Sequence, residues 1–281
     1  MIKSLYLTCI PNDTYLKINL GNLKKKFIHL IYKKYNNFIV KNFYNSKYSL
    51  ISVKIIDKKT FFCNKNILYS RKDFRVSVNV REKEIVCFVE ENIYSFDSML
   101  RIIFGTILFN KKGLLLHSCG IVYDKKGFLF IGNSGRGKST LIKNSFLEEI
   151  KVLSDELVAV IYKKGKFFTY KSPFFGDIEF FNKKLNVIKS DNFFEIKKIF
   201  VLNRHTKKFL VKKIFFDESI KKLLKNNLCL FKKPVFGNKI LTTAIKIVKN
   251  IDFFNLNFSK DFVITPTFLE DLNETKTKLS V

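Results

Sequence analysis

Gly132-Asn133-Ser134-Gly135-Arg136-Gly137-Lys138-Ser139 satisfies G-x-x-x-x-G-K-[ST] at every fixed position and constrains the fold more than any other stretch of the chain. The apolar run Gly127–Ile131 before it reads as a buried strand, and Thr140–Glu149 after it reads as a helix. Such a loop needs that context, because its glycines let successive backbone N–H groups curl around a phosphate at a helix start. The motif therefore predicts a nucleoside triphosphate held by Gly132, Asn133, Ser134, Gly135, Arg136, Gly137, Lys138, Ser139 and Thr140. Lys138 is expected to reach the β- and γ-phosphates, and the Ser139 hydroxyl to ligate Mg²⁺. Glycine placement agrees: six of the 11 glycines fall between 113 and 137. A cluster of that kind marks backbone that turns tightly or approaches a ligand.

With 281 residues and 47% hydrophobic content, the chain can bury one large core or two modest ones. No apolar run reaches the roughly eighteen residues of a membrane span. The N-terminus lacks the small-residue cleavage pattern of a signal peptide. Five scattered cysteines (Cys9, Cys63, Cys87, Cys119, Cys229) form no C-x-x-C pair, which argues against a disulfide framework or zinc site and for a reducing cytoplasm. The net charge of +28 invites a nucleic-acid partner, yet only six of the 52 basic residues are arginine and the lysines are spread from end to end. Arginine is the commoner reader of bases and phosphates. A solvated lysine surface is the simpler reading, with a positive field that helps to recruit anions.

The first hundred residues carry no glycine-rich loop. Two strand-like runs lie between Tyr6 and Leu20, broken at Pro11-Asn12-Asp13, and Lys24–Tyr35 has helical character. Leu50–Ile56, Phe74–Val80 and Glu84–Val89 alternate with period two and predict an antiparallel meander, with Phe61, Phe62, Tyr69 and Phe74 as core or sheet-face residues. Ser95–Phe109 follows as a helix with Ser95 as its cap. Short strands are expected at Leu114–Leu116, Cys119–Val122, Val152–Ser154, Leu157–Ile161, Phe167–Tyr170 and Ile199–Leu202. Helices are expected at Ser219–Leu230 and Lys239–Val248, with a loosely held tail beyond Thr265. The organisation expected is α/β: a smaller β-rich N-terminal region, 1–94, preceding a phosphate-loop domain, 95–281.

His117 closes the strand before the loop in this reading, Asp155 and Glu156 follow the strand after the loop helix, and Arg204 closes the Ile199–Leu202 strand. Strand ends in a parallel-rich sheet gather beside bound phosphates, so these side chains can converge. A carboxylate near the metal is what phosphoryl transfer requires. Arg136 either touches phosphate or faces solvent, and His29 and His205 have no partner spacing. His117 as a satisfied buried histidine and Glu156 as a solvated loop charge are the competing structural readings.

The stretch Leu114–Val160 resembles the HPr kinase/phosphorylase-like family in its Leu-Leu-Leu-His-Ser-Cys-Gly-Ile-Val run, its Phe-Leu-Phe-Ile-Gly-Asn-Ser-Gly-Arg-Gly-Lys-Ser-Thr loop and its Leu-Ser-Asp-Glu-Leu-Val segment. The resemblance implies a phosphoenolpyruvate carboxykinase-like nucleotide-binding fold over about 95–265. It implies Asp155 as the carboxylate that takes the acceptor proton, His117 beside the transferring phosphoryl group, and Glu156 in the place of a second aspartate at the metal. The family's E-[IV]-R-G signature is absent, and Phe175-Gly176-Asp177-Ile178-Glu179 only echoes it. The match is better to the broader HPr-kinase-like proteins, some of which resemble small-molecule or peptide serine kinases. The expected activity is ATP- and Mg²⁺-dependent phosphoryl transfer to a hydroxyl of a peptide, protein or small molecule. A non-catalytic nucleotide sensor or scaffold is the alternative. A GTPase would show D-x-x-G and N-K-x-D motifs, neither of which has a plausible strand context here, and an ABC-type ATPase an LSGGQ-like segment, of which there is none. ATP over GTP rests on the resemblance alone, and the oligomeric state is left open.

Overall fold

The computed structural model describes residues 4–40, 48–62, 67–79, 83–145, 148–176, 188, 192–204, 209–228 and 234–274. The chain is mixed α/β with two sheets, and it divides into two compact units, Met1–Ile107 and Leu108–Val281.

The first unit holds β1 (Ser4–Ile10), β2 (Thr14–Asn19), α1 (Lys25–Tyr35), β3 (Ser49–Ile55), α2 (Lys58–Phe62), β4 (Ile67–Ser70), β5 (Phe74–Asn79), β6 (Glu84–Val89) and most of α3 (Ile93–Asn110). Its sheet runs β1-β2-β3-β6-β5-β4. Of the expected meander, β3, β5 and β6, only β5 and β6 pair antiparallel; β4, which the alternation did not mark, joins β5 antiparallel, and β3 pairs parallel with both β2 and β6. The reason is connectivity. Helix α1 intervenes between β2 and β3 as a crossover, and α2, β4 and β5 intervene before β6 returns beside β3. Period-two alternation identifies a strand without fixing its direction. Ser95 is not the cap of α3. The helix begins at Ile93, Asn92 Oδ1 accepts from the Tyr94 N–H at 2.8 Å, and Ser95 Oγ donates to Asp73 at 2.5 Å.

The second unit holds β7 (Gly113–Tyr123), β8 (Lys126–Ile131), α4 (Lys138–Asn144), β9 (Lys151–Ser154), β10 (Leu157–Lys163), β11 (Lys166–Tyr170), β12 (Phe194–Arg204), β13 (Leu210–Lys213), α5 (Phe216–Lys225), α6 (Pro234–Asn250), β14 (Asp252–Phe258) and α7 (Pro266–Glu274). The sheet is mixed: β8, β12 and β14 run parallel, while β7 is antiparallel to β8, β9 and β10. Both faces are covered, which is why the strands read as near-continuous apolar runs. Leu114, Leu116, Leu129, Ile131, Ile199 and Val201 pack with Leu223 of α5 and Ile240, Ala244 and Ile247 of α6. On the other face Cys119, Ile121, Phe128, Phe130 and Phe200 pack with Leu141 and Ile142 of α4 and Leu269 of α7.

Three further expectations change. The strands expected at Leu114–Leu116 and Cys119–Val122 are one strand, β7, so His117 lies within it instead of closing it. The polar His117-Ser118 step is tolerated because its backbone is satisfied, His117 N–H by Asn226 O at 2.7 Å and Ser118 N–H by Glu156 O at 3.1 Å. Helix α4 starts at Lys138, inside the motif, and ends at Asn144, well short of Glu149. Ser145 stops it: its Oγ donates to Leu141 O at 2.7 Å and accepts from Ile264 N–H at 3.1 Å. The segment after Thr265 is not loose as far as Glu274, because α7 inserts the buried Leu269 into the core.

In the first unit, buried Asp97 of α3 accepts from Tyr35 Oη at 2.8 Å and pairs with Lys34 at 2.9 Å and Arg101 at 2.6 Å. Burial pushes this carboxyl up, but Arg101, Lys34 and the Tyr35 hydroxyl together outweigh it and hold the group below its ordinary value. Removing one partner of such a network leaves half-buried cations uncompensated. Asp97→Ala should therefore lower stability by about 3 kcal/mol in chemical denaturation. The contribution is full above the unfolded carboxylate value of about 3.9 and is lost as pH falls through the lower folded value. The gap between wild type and variant should accordingly close in strong acid, and a gap that widens there would contradict the sign.

Candidate functional site

Register places the sequence-predicted residues together. β7 pairs along one edge with β8, where Ser118 faces Ile131, so His117 lies level with Gly132 at the start of the glycine-rich loop. Along its other edge β7 meets β10 at Gly113–His117 and β9 at Gly120–Val122. The chain jogs between those two strands at Asp155-Glu156, and the jog falls beside Ser118. His117, Asp155, Glu156, Ser134, Gly135, Gly137, Lys138, Ser139, Thr140 and Gly176 thus line one cleft of about 340 Å³, all within the second unit.

The loop itself is a tight backbone cradle. Gly135 and Gly137 take φ values of +79° and +89°, a left-handed geometry that side chains resist, and Gly137 precedes the first turn of α4. Lys138 is buried and turned back on the loop, its Nζ donating to Gly132 O at 2.6 Å and to Asn133 O at 3.2 Å. Burial lowers its pKa, and the nearby Cys119, Glu156 and Asp155 partly restore it. Arg136 is exposed, with its N–H turned to Asn133 O at 3.2 Å.

Asp155 is buried, while Glu156 and His117 are half-buried and open to the cleft. Ser139 Oγ stands 3.5 Å from Asp155 Oδ2, and the Gly176 N–H donates to Asp155 Oδ1 at 2.8 Å. Among the described residues no group of three or more His, Cys, Asp and Glu side chains is gathered to hold a metal. The oxygens lining the cleft are instead the hydroxyls of Ser134, Ser139 and Thr140 and the carboxylates of Asp155 and Glu156, beside the glycine-rich loop. That set suits Mg²⁺, which takes few protein oxygens and draws others from water and substrate phosphates.

Arg204 ends β12, three residues past Val201, which pairs with Ile131. His205 and Asp177–Glu179 lie outside the described residues, and His29 is an exposed residue of α1 in the first unit. Sequence reasoning missed the roles of Ser154, Ser172 and Gly176 around Asp155. The signal was the glycine of the Phe175-Gly176 echo, which lies far from the loop in sequence.

A mixed α/β unit carrying a glycine-rich loop that faces a carboxylate pair is thus the class of molecule the fold and cleft define. Residues 88–273 match the family described as SynChlorMet cassette protein ScmC, and the chain belongs to that family. No curated protein matches the chain. Among solved structures, the HPr(Ser) kinase/phosphatase from Coxiella burnetii is a distant likeness, 14% identical over 57% of this chain and 91% of that one, with a TM-score of 0.31. Among the described residues no helix is long and apolar enough to cross a membrane.

Cys119 lies fully buried on β7 beside this cleft, on the same face of the strand as His117. Burial pushes its thiol well up, Lys138 pulls it down and Asp155 pushes it up again. A thiol so placed is inert. Iodoacetamide at about pH 8 should leave Cys119 unmodified in the folded protein and label it only after unfolding, read by peptide mass spectrometry. Labelling of the native protein at the unfolded rate would contradict that burial.

Proposed function

We propose that the second unit is an ATP- and Mg²⁺-dependent phosphotransferase of the HPr-kinase-like type, moving the γ-phosphoryl group to a hydroxyl, most simply the serine of a peptide, protein or small molecule. The observation that carries the reading is that one cleft brings Lys138 and Ser139 to face Asp155 and His117. The loop N–H groups would hold the phosphates, and the Lys138 ammonium would exchange the carbonyls of Gly132 and Asn133 for phosphate oxygens. Mg²⁺ would offset phosphate charge, held by Ser139 and Glu156.

The acceptor oxygen attacks the γ-phosphorus, forming the new P–O bond as the bond to the β,γ-bridging oxygen breaks. ADP leaves with that electron pair, and the acceptor proton passes to Asp155 Oδ2. Phosphoryl transfer needs little covalent help but does need an aligned nucleophile and a proton acceptor. His117, across the same cleft, steadies the transferring group by donating from its ring. Cys9, Cys87 and Cys119 are buried and not disulfide-bonded, which suits a reducing, cytoplasmic setting.

Incubation with γ-labelled ATP and candidate acceptors tests the assignment, with Asp155→Asn as the partner experiment. The variant should keep ATP affinity and lose transfer by roughly 10²- to 10⁴-fold, since an amide cannot accept the proton. Transfer at the wild-type rate would contradict the role given to Asp155. Nucleotide held with no acceptor ever labelled would replace the kinase by a nucleotide sensor.

A further inference from the structure

The segment from Ser172 to Gly176 does more than wall the cleft. Two buried serines tie it down: Ser154, at the end of β9, and its own Ser172. Ser154 Oγ donates to Phe174 O at 2.8 Å and accepts from the N–H groups of Glu156 at 3.1 Å and Leu157 at 3.3 Å. Ser172 Oγ donates to Leu157 O at 2.5 Å. The acidic turn 154–157 and the segment 172–174 are thereby cross-linked from both sides. Two residues past Phe174, the Gly176 N–H reaches Asp155 Oδ1 at 2.8 Å.

We propose that this segment is a positioning strap for Asp155, with Gly176 its fixed point. The N–H of Gly176 satisfies Oδ1 and so selects Oδ2, the oxygen that faces Ser139, as the one that works in the cleft. The same approach explains why glycine stands at 176. A Cβ there would lie 3.0 Å from Asp155 Oδ2, 3.5 Å from Cγ and 3.6 Å from Oδ1, pressing on the carboxylate it is meant to orient. Gly176 acts through Asp155 and touches no reacting atom in this scheme. Ser154 and Ser172 act one step further back, holding the strap that holds the carboxylate.

This inference rests on the proposed phosphoryl transfer, and its test separates the two. Wild type, Gly176→Ala and Ser154→Ala are compared for thermal midpoint, ATP affinity and kcat with γ-labelled ATP. Displacing a reacting group by a fraction of an ångström to one ångström costs up to about a hundredfold. Gly176→Ala should therefore lower kcat roughly 10- to 100-fold while KM for ATP stays within about twofold. Ser154→Ala should show the same kcat-only pattern more weakly. In an Asp155→Ala background the added Gly176→Ala change should have no effect on the residual rate, a coupling that a merely structural glycine would not show. Full kcat in Gly176→Ala, or equal losses with and without Asp155, overturns the strap while leaving the kinase reading intact. Absence of any turnover in wild type overturns both.

Discussion

The double pairing of β7 is the constraint on which the site depends. A strand of eleven residues with one neighbour on one edge and two successive neighbours on the other leaves a gap where β9 ends and β10 begins. The turn that fills the gap carries Asp155 and Glu156, and the opposite edge delivers β8 and the loop at the same level. Sheet register alone therefore sets the spacing between a cationic loop and an anionic turn. A slip of one residue in β7 would turn His117 to the other face and replace it with Ser118.

Charge completes what register begins. Lys138 is buried, and its ammonium is satisfied by two loop carbonyls. A buried cation is costly unless it is hydrogen-bonded, so those carbonyls stabilise the loop without a bound anion. They are also neutral partners, which a phosphate would outcompete as an anionic acceptor. The carboxylate opposite is oriented by a backbone N–H, that of Gly176, at 2.8 Å.

Much of this was legible in the chain, for identifiable reasons. The loop motif is contiguous, and its glycines and lysine carry their own geometry, so Gly132–Ser139 needed no tertiary information. Asp155 and Glu156 were found because they interrupt two apolar runs. His117 was found as well, but its place inside β7 was hidden, since the backbone partners that let a polar step continue a strand come from Asn226 and Glu156, remote in sequence. The parallel pairing of β3 was hidden because alternation encodes a face and not a direction. Gly176 was named only within a weak motif echo, and its contact with Asp155 was hidden for the same reason as the continuity of β7, since the two lie 21 residues apart. Local chemistry was readable, and long-range satisfaction of backbone and side-chain donors was not.

The central claim is that this loop binds a nucleoside triphosphate through Lys138. Calorimetric titration of ATP with Mg²⁺ into the full chain and into Lys138→Ala measures it most directly. A hydrogen-bonded charge of this kind contributes about 1.5–3 kcal/mol, so the variant should bind at least roughly tenfold more weakly while melting as a folded protein. Equal affinity in both proteins, or no binding by the wild type, would contradict the account.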